Sequence, residues 1–394
     1  MDIELTKAQE NALKIAVTRY INNEPYTCIA GYAGTGKTTL IGSIVEAFGV
    51  YPHEVCYIAY TGKAAKVLSD KGYKNSMTAH RLLYQSFRKP DGSFYHKPRL
   101  TLEYPYKIIV VDEVSMIPRD MWNLLLSHHH HVLAFGDPEQ LPPVGEGQDN
   151  EVLKNPHIFL DEVVRQAQDN EIIKLSMDIR AGKILLPYKG SQVQIIDKDE
   201  VIDGMYDWAD QIICAKNETR RNINNYMRER IYGTTDTFPL ENDKVICLRN
   251  YWEEPNEAGE VLVNGTTGTI SYIRCEDDPV FNKKLLFDFL PDGYDPTSCE
   301  EDPYFNNLFI DYKLLTEGEP TVNKLNFKKF MRYKDNLPKE FDYAYCITCW
   351  KAQGSEYNKV LVFEENFPFE EVEHRRYLYT AVTRAKEKLV LVRK

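Results

Sequence analysis

Over its first half the chain alternates between two hydrophobic patterns. Residues 26–30, 107–111 and 131–135 are short runs of apolar, β-favouring side chains. Runs of that length predict strands buried on both faces. Residues 40–48 instead carry apolar side chains at helical spacing, and another helix is expected to begin near Pro118. Strand and helix in succession through residues 1–190 predict a doubly wound parallel sheet. A second region of the same kind is expected from about residue 191. It includes a strand at 211–215, a helix at 219–231 and a strand at 342–348, followed by a final helix and strand.

Two stretches break the alternation. Residues 84–98 place Asp91 and Gly92 between aromatic, polar-rich arms, a hairpin signal. Residues 261–272 alternate like β-structure around Asn264 and Gly265, and acid-rich turns and aromatic runs continue to about residue 340. Within them, residues 281–289 and 324–333 are candidate strand and basic-patch segments.

Composition narrows the class. With 394 residues the chain is long enough for two or three cores. No apolar run approaches the ~20 residues of a membrane span, and residues 1–7 lack an apolar leader core, so a cytoplasmic location and no membrane partner are expected. Eight cysteines spread thinly read as reduced, buried thiols. Cys346 and Cys349 form a lone C-x-x-C pair without a second pair at zinc-ribbon spacing, and read as strand residues. His128, His129, His130 and His131 read as a polar turn between helix and strand, because consecutive side chains do not converge on one ion. The net charge of −11 argues against tight nonspecific duplex binding but leaves room for a local strand groove.

The candidate chemistry lies where predicted strands end. After the strand at 26–30, Gly31, Gly36, Lys37 and Thr38 fit G-x-x-x-x-G-K-[ST], with a helix following. The glycines let backbone N–H groups curl around phosphates at the positive end of a helix dipole. Gly34, Thr35, Gly36, Lys37, Thr38 and Thr39 are therefore the phosphate-binding set, implying ATP and Mg²⁺. Lys37 would reach the β- and γ-phosphates, and the Thr38 hydroxyl would ligate the metal. Asp112 and Glu113 stand at the carboxyl end of the strand at 107–111, where open α/β sheets bind ligands. Asp112 would hold Mg²⁺ through water and Glu113 would polarise the attacking water. A third strand ends in Gly136, Asp137, Pro138, Glu139 and Gln140, and Gln140 could sense the γ-phosphate.

Taken together, these motifs resemble those of superfamily 1 helicases, and more narrowly the RecD-like and phage Dda-like superfamily 1B branch. The resemblance covers nearly the whole chain and is weakest at residues 270–340. It implies two RecA-like P-loop domains, each a parallel sheet flanked by helices, with a β-hairpin pin and a small SH3-like β-barrel inserted. The implied ranges are 1–83 and 105–190 for the ATP-binding domain 1A, and 84–104 for the pin 1B. Residues 191–268 and 341–394 would form domain 2A, and 269–340 the insertion 2B.

Residue by residue, the resemblance implies that Gln9 reads the adenine, although alone the segment is a helix start capped by Thr6. Thr61 and Lys63, in a motif Ia-like segment, and His80, in a motif Ib-like one, would contact DNA phosphates. Arg165, in a motif IV-like segment, would meet the γ-phosphate. The motif V-like segment contributes Thr348, Trp350 and Lys351 to the strand channel, and Gly354 and Glu356 to the nucleotide site. Trp350 stands where the family usually has histidine, a departure that puts a large aromatic beside the expected strand path, where it could stack on a base, and that does not carry over a histidine-specific contact. Arg384 closes a motif VI-like segment as the arginine finger. Phe87 and Phe94, with Tyr95, are candidate wedges on the pin.

The implied activity is an ATP-dependent DNA helicase that moves 5′→3′ on single-stranded DNA and opens duplex at single-strand/duplex junctions. It would act as a monomer, with a single-strand-binding protein or replication and recombination proteins as partners. If phage-encoded, it would work in the host cytoplasm. The rivals are a DNA-stimulated translocase that remodels protein–DNA complexes without processive unwinding, an ATP-switched loading factor, and an RNA helicase.

Overall fold

The structure, a computed structural model, describes residues 5–88, 94–142, 151–164, 169–251, 255–257, 261–279, 281–294, 302–320 and 337–394. The chain divides into two compact units. One comprises Met1–Gln85, Pro98–Lys216 and Thr348–Lys394, the other Ser86–Lys97 and Asn217–Ile347.

The first unit holds two parallel sheets. In chain order the opening strands of the chain are β1 (Tyr26–Gly31), β2 (Val55–Ala59), β3 (Ser76–Thr78), β4 (Tyr84–Arg88), β5 (Phe94–Pro98), β6 (Ile108–Val111), β7 (His131–Gly136) and β8 (Ile158–Leu160), of which β4 and β5 lie mostly in the other unit. Six of them form a sheet in the order β3-β2-β6-β7-β1-β8, parallel throughout. The predicted runs are all here, and they are apolar because both faces are covered. One face packs Ile29, Val110, Leu133 and Phe135 with Leu40, Ile41 and Ile44 of the helix after the glycine loop. The other packs Cys28, Val111, Val132 and Ala134 with Trp122 and Leu125. Thr6 and Gln9 form a full capping box at the start of helix Lys7–Ile21.

β4 and β5 pair as a two-stranded sheet in the stretch where the hairpin is expected, and beside it Arg99 N–H donates to Leu83 O at 2.9 Å. Asp91 and Gly92 lie outside the described residues, as do the side chains of Phe94 and Tyr95.

The second parallel arrangement uses β9 (Tyr188–Lys189), β10 (Val193–Ile196) and β11 (Gln211–Cys214) with the strands Tyr357–Phe363 and Ala385–Val392. β11 pairs in parallel with Tyr357–Phe363, which pairs with Ala385–Val392, which pairs with β10. β9 adds to β10 antiparallel.

The other unit carries helix Asn217–Tyr232 and an antiparallel sheet of Lys244–Cys247, Thr267–Asp278, Asn282–Pro291, Phe305–Ile310 and Phe341–Tyr343. Phe287, Phe289 and Phe341 are fully buried at its centre. The β-structure expected at 261–272 is present as the start of Thr267–Asp278. The single strand expected at 342–348 is not. Phe341–Tyr343 pairs with Lys244–Cys247 in the antiparallel sheet, and a separate strand Cys346–Thr348 follows. The break falls where the Asn224 amide donates to Tyr343 O (3.0 Å) and Cys346 O (3.2 Å) and accepts from Cys346 N (2.7 Å). Those bonds take the backbone groups a continuous strand would need. The antiparallel sheet therefore reaches beyond residues 269–340 at both ends. Residues 324–333 lie outside the described residues.

No helix among the described residues is long and apolar enough to cross a membrane.

Candidate active site

The glycine loop joins β1 to helix Lys37–Ala47. Gly34 (φ 78°) and Gly36 (φ 74°) take the left-handed conformation, which L-residues reach only with strain. A Cβ at Gly36 would also lie 2.6 Å from Gln9 Nε2. Gly36 provides no side-chain cap for the helix, so the first-turn N–H groups retain the capacity to bind an anion. The Lys37 ammonium donates to the carbonyls of Gly31 (2.8 Å) and Tyr32 (2.9 Å). Tyr73 OH donates to Thr38 O at 3.2 Å, fixing the first helical turn. Thr35 is buried, its hydroxyl donating to Tyr32 O, while Thr39 is exposed.

Gln9 is buried with its amide engaged. Nε2 donates to Thr35 O (3.1 Å), and Oε1 accepts from Thr6 N (3.0 Å). In this state Gln9 ties the first helix to the glycine loop.

Asp112 and Glu113 follow β6 as expected. Asp112 Oδ1 accepts from Glu113 N at 3.1 Å. Burial pushes both carboxyls above their ordinary range, opposed at Asp112 chiefly by Lys37 and at Glu113 chiefly by Arg384. Glu113 has φ 55° and ψ 48°, a costly conformation for a non-glycine residue and a common mark of functional positions. Its Oε2 has no hydrogen-bond partner among the described residues. A buried acceptor left open under the influence of the Arg384 and Lys37 charges suits a residue that takes up a water hydrogen. Thr38 and Asp112 supply hard oxygen donors, and one or two such ligands with substrate phosphates are the usual protein share of a Mg²⁺ site.

Gln140 follows β7 on a turn organised by Asp137, whose Oδ1 accepts from Glu139 N (3.0 Å) and whose carbonyl accepts from Gln140 N (3.2 Å). Gln140 Oε1 is likewise buried without a partner among the described residues. Arg165 lies outside the described residues. Its neighbour Val164 donates from its N–H to Gly34 O at 3.0 Å, which brings that segment onto the glycine loop.

Arg384 follows helix Glu371–Val382. Its guanidinium donates to Thr380 O (3.0 Å), Ser355 O (3.3 Å) and Thr383 Oγ1 (3.2 Å). It is therefore both a cation completing a helix C-terminus and the main positive influence on Glu113.

Contacts that no sequence motif specifies link these loops. Leu141 N donates to Thr380 Oγ1 (3.0 Å), and Gln353 Nε2 donates to Leu141 O (3.0 Å). Tyr379 OH accepts from Ala33 N (2.8 Å) and donates to Asp137 Oδ2 (2.5 Å). Arg180 stacks on the Tyr32 ring at 3.4 Å. The hydrogen-bonded residues lie in the motif segments, but their partners are up to 346 positions away.

The remaining candidates are distributed around this centre. Thr61 caps helix Gly62–Asp70 by accepting from Ala64 N, and Lys63 Nζ lies 4.9 Å from the Tyr357 ring centroid. Gly354 (φ +73°) comes so close to this helix that a Cβ would meet Ala64 Cβ at 2.9 Å and Thr61 Oγ1 at 3.0 Å. His80 sits between the rings of Tyr60 and Tyr84. Thr348 is buried at the start of helix Cys349–Ala352, and Trp350 packs 6.2 Å from Phe367. Lys351 is half-buried, and Glu356 pairs with Lys386 at 3.4 Å on the surface. Phe87 is half-buried on β4. His131 is a strand residue, its Nδ1 2.8 Å from Glu24 O. Cys346 and Cys349 are buried free thiols; Cys346 lies on a strand as expected, but Cys349 opens helix Cys349–Ala352.

Residues 4–204 match the AAA domain family. The chain belongs to that family. Residues 343–392 match the UvrD-like helicase C-terminal domain. The chain is 37% identical over 164 residues to the ATP-dependent RecD2 DNA helicase of Deinococcus radiodurans, covering 39% of this chain and 22% of that protein. It is 27% identical over 190 residues to the ATP-dependent DNA helicase dda of Enterobacteria phage T4, covering 46% and 43%. The chain thus spans less than half the length of these two relatives. Among solved structures, a Bacteroides Pif1 helicase in complex with ADP-AlF3 and ssDNA matches with TM-score 0.56 at 17% identity, over 99% of this chain and 92% of that one. The resemblance to the RecD-like and Dda-like superfamily 1B branch is borne out, as is the RecA-like architecture of parallel sheets flanked by helices.

Proposed function

We propose that this protein is an ATP-driven motor that moves 5′→3′ along single-stranded DNA and unwinds the duplex ahead of it. The observation that carries this reading is a single helix. Glu371–Val382 flanks the second parallel sheet, bonds the glycine loop and the β7 turn through Tyr379 and Thr380, and leads into Arg384. A nucleotide held by Lys37 and Thr38 is therefore sensed by elements of both sheets. Such a site converts occupancy into movement between sheets.

Thr38 and Asp112 would hold Mg²⁺, which neutralises charge developing on the phosphate oxygens. Glu113 orients the attacking water, Gln140 faces the γ-phosphate, and Arg384 stabilises the transition-state charge, with Arg165 as its counterpart. Thr61, Lys63, His80, Thr348, Trp350 and Lys351 line the strand path, and Gly354 and Glu356 complete the nucleotide edge. The hairpin β4–β5 acts as the pin, with Phe87 and Phe94 meeting the junction, and the antiparallel sheet corresponds to the SH3-like insertion 2B. The protein works as a cytoplasmic monomer on junction DNA.

The test is unwinding of 5′-tailed and 3′-tailed DNA duplexes in ATP and Mg²⁺, with an RNA-tailed control. Unwinding of the 5′-tailed DNA substrate alone is expected. ATP hydrolysis stimulated by single strands without strand separation on any substrate would replace the helicase assignment with translocation. No DNA-stimulated hydrolysis would end the motor reading.

A further inference from the structure

We propose that Tyr379 is a positioning residue for ATP hydrolysis, its phenol holding the glycine loop and the Gln140-bearing turn in one register. The inference rests on the motor reading and assigns a role that the phosphate loop, the acidic pair and the arginines leave open.

A tyrosine hydroxyl has one proton to donate and lone pairs to accept with. Tyr379 uses both. The proton goes to Asp137 Oδ2 at 2.5 Å, and the oxygen accepts from Ala33 N at 2.8 Å. Tyr379 and Asp137 are each 1% exposed, so water does not replace either partner. Burial and the Asp137 charge both push the phenol pKa up, which keeps that proton in place.

Each end of this bridge reaches a group that acts on phosphate. Ala33 lies in the loop whose carbonyls hold Lys37. Asp137 organises the turn through Glu139 N and Gln140 N, and that turn carries Gln140, whose buried Oε1 has no partner among the described residues. The next residue, Thr380, receives Leu141 N, and Gln353 donates to Leu141 O. Arg180 grips the adjacent loop residue Tyr32 through its ring. The loop and the turn are thus held by one helix, and a shift of that helix moves both together. Hydrolysis needs them aligned at the same moment, so loss of the bridge reduces turnover more than nucleotide binding.

The experiment compares wild type, Tyr379→Phe, Gln140→Ala and the double variant for single-strand-stimulated ATPase, well below the melting temperature of each. Tyr379→Phe keeps the ring and deletes only the hydroxyl. The expected result is a tenfold or greater fall in kcat with KM for ATP within threefold of wild type. Adding Gln140→Ala to Tyr379→Phe should then cost far less than Gln140→Ala alone. Wild-type kcat in Tyr379→Phe, with or without a lowered melting temperature, overturns the proposal, as does full additivity of the two substitutions. Lys37→Ala separates the two levels of inference. If wild type hydrolyses ATP and Lys37→Ala does not, the motor reading stands whatever Tyr379→Phe does. If wild type itself is inactive with every strand, the motor reading fails first.

Discussion

The Lys37 ammonium donates to the carbonyl of Gly31, six residues back in the same loop, at 2.8 Å. With Tyr32 O at 2.9 Å, it closes the loop over the space where phosphates would lie. These two bonds are local and half-buried, so replacing Lys37 by Ala should leave thermal unfolding within a few degrees of wild type. Turnover should fall by ~10²–10³ or more, the usual cost of removing a charge-stabilising donor. Single-strand binding should remain measurable by anisotropy. Full ATPase activity in this variant would remove the phosphate-loop assignment.

Glu113 and Arg384 give a pH signature. Burial raises the Glu113 carboxyl above its ordinary range, and Arg384 is the strongest influence pulling it back. In the proposed mechanism Glu113 orients water only when ionised, so kcat should be present above its folded pKa and lost as pH falls through it. Removing the Arg384 charge raises that pKa further. The acid limb of the kcat profile should therefore move to higher pH in Arg384→Ala, on top of a rate loss of about 10³ or more. Arg384→Lys should return the limb towards wild type without restoring the full rate. An unmoved limb in Arg384→Ala would show that the two groups do not communicate.

Gly354 offers a steric prediction. Its φ of +73° strains any L-residue, and a Cβ would press on Ala64 Cβ at 2.9 Å. Gly354→Ala should destabilise by about 1–3 kcal/mol, combining left-handed strain and overpacking. Measured against Ala64→Gly alone, which carries the cost of about 0.5–1 kcal/mol for a glycine inside helix Gly62–Asp70, Gly354→Ala should cost less, because the Ala64 clash is gone while the backbone strain and the Thr61 Oγ1 contact remain. Urea denaturation of the single and double variants checks this, and an equal cost in both backgrounds would mean that the contact carries no load.

The engine was more legible than the transmission. Gly31, Lys37, Asp112 and Glu113 declare themselves because each sits at a strand end whose apolar run is unmistakable, and the chemistry is local to a few residues. Tyr379, Thr380 and Gln353 do not, because hydrogen bonding to Ala33, Asp137 and Leu141 requires the folded sheets before the pairing exists. The strand predicted at 342–348 failed for a related reason. Its apolar pattern is continuous, and the break depends on Asn224, a helix residue more than a hundred positions earlier. Gln9 shows a third limit. Its motif suggests a base-reading amide, but the side chain also satisfies the geometry of a capping box and bonds Thr35 O.

The antiparallel unit is pinned by an ion pair that should be intolerant of halving. Arg228 and Asp243 are buried at 3% and 0% side-chain exposure and meet at 3.0 Å. Leu240 N and Tyr345 OH also donate to Asp243, both at 2.8 Å. Every acceptor is therefore matched, and Asp243→Asn leaves a buried guanidinium without its counter-charge. The expected cost is ~3–5 kcal/mol. Replacing both residues by apolar side chains of similar volume should cost less than the single change, measured by urea denaturation. A double variant worse than Asp243→Asn would mean that the bonds of Arg228 to Asp236 O and Phe238 O outweigh the charge pair.

Glu171 predicts an acid-dependent loss of stability. Its carboxylate accepts from the N–H groups of Gln192 (2.8 Å), Ser191 (3.0 Å) and Val193 (3.0 Å), and from the Ser191 hydroxyl (2.8 Å). These bonds, led by Gln192, hold its pKa down from an ordinary 4.5 to about 2. A depressed folded pKa stabilises the fold fully above the unfolded value, and the contribution fades as pH falls from there through the folded value. Glu171→Gln should therefore melt below wild type by a constant margin from pH 7 down to about 5.5, and the margin should shrink steadily below pH 4.5. Gly190→Ala reaches the same site differently, because its Cβ would collide with Glu171 Oε2. Its penalty is steric and should persist in the Glu171→Gln background at neutral pH. A wild-type margin that stays constant down to pH 3 would show that these amide bonds do not favour the ionised carboxylate.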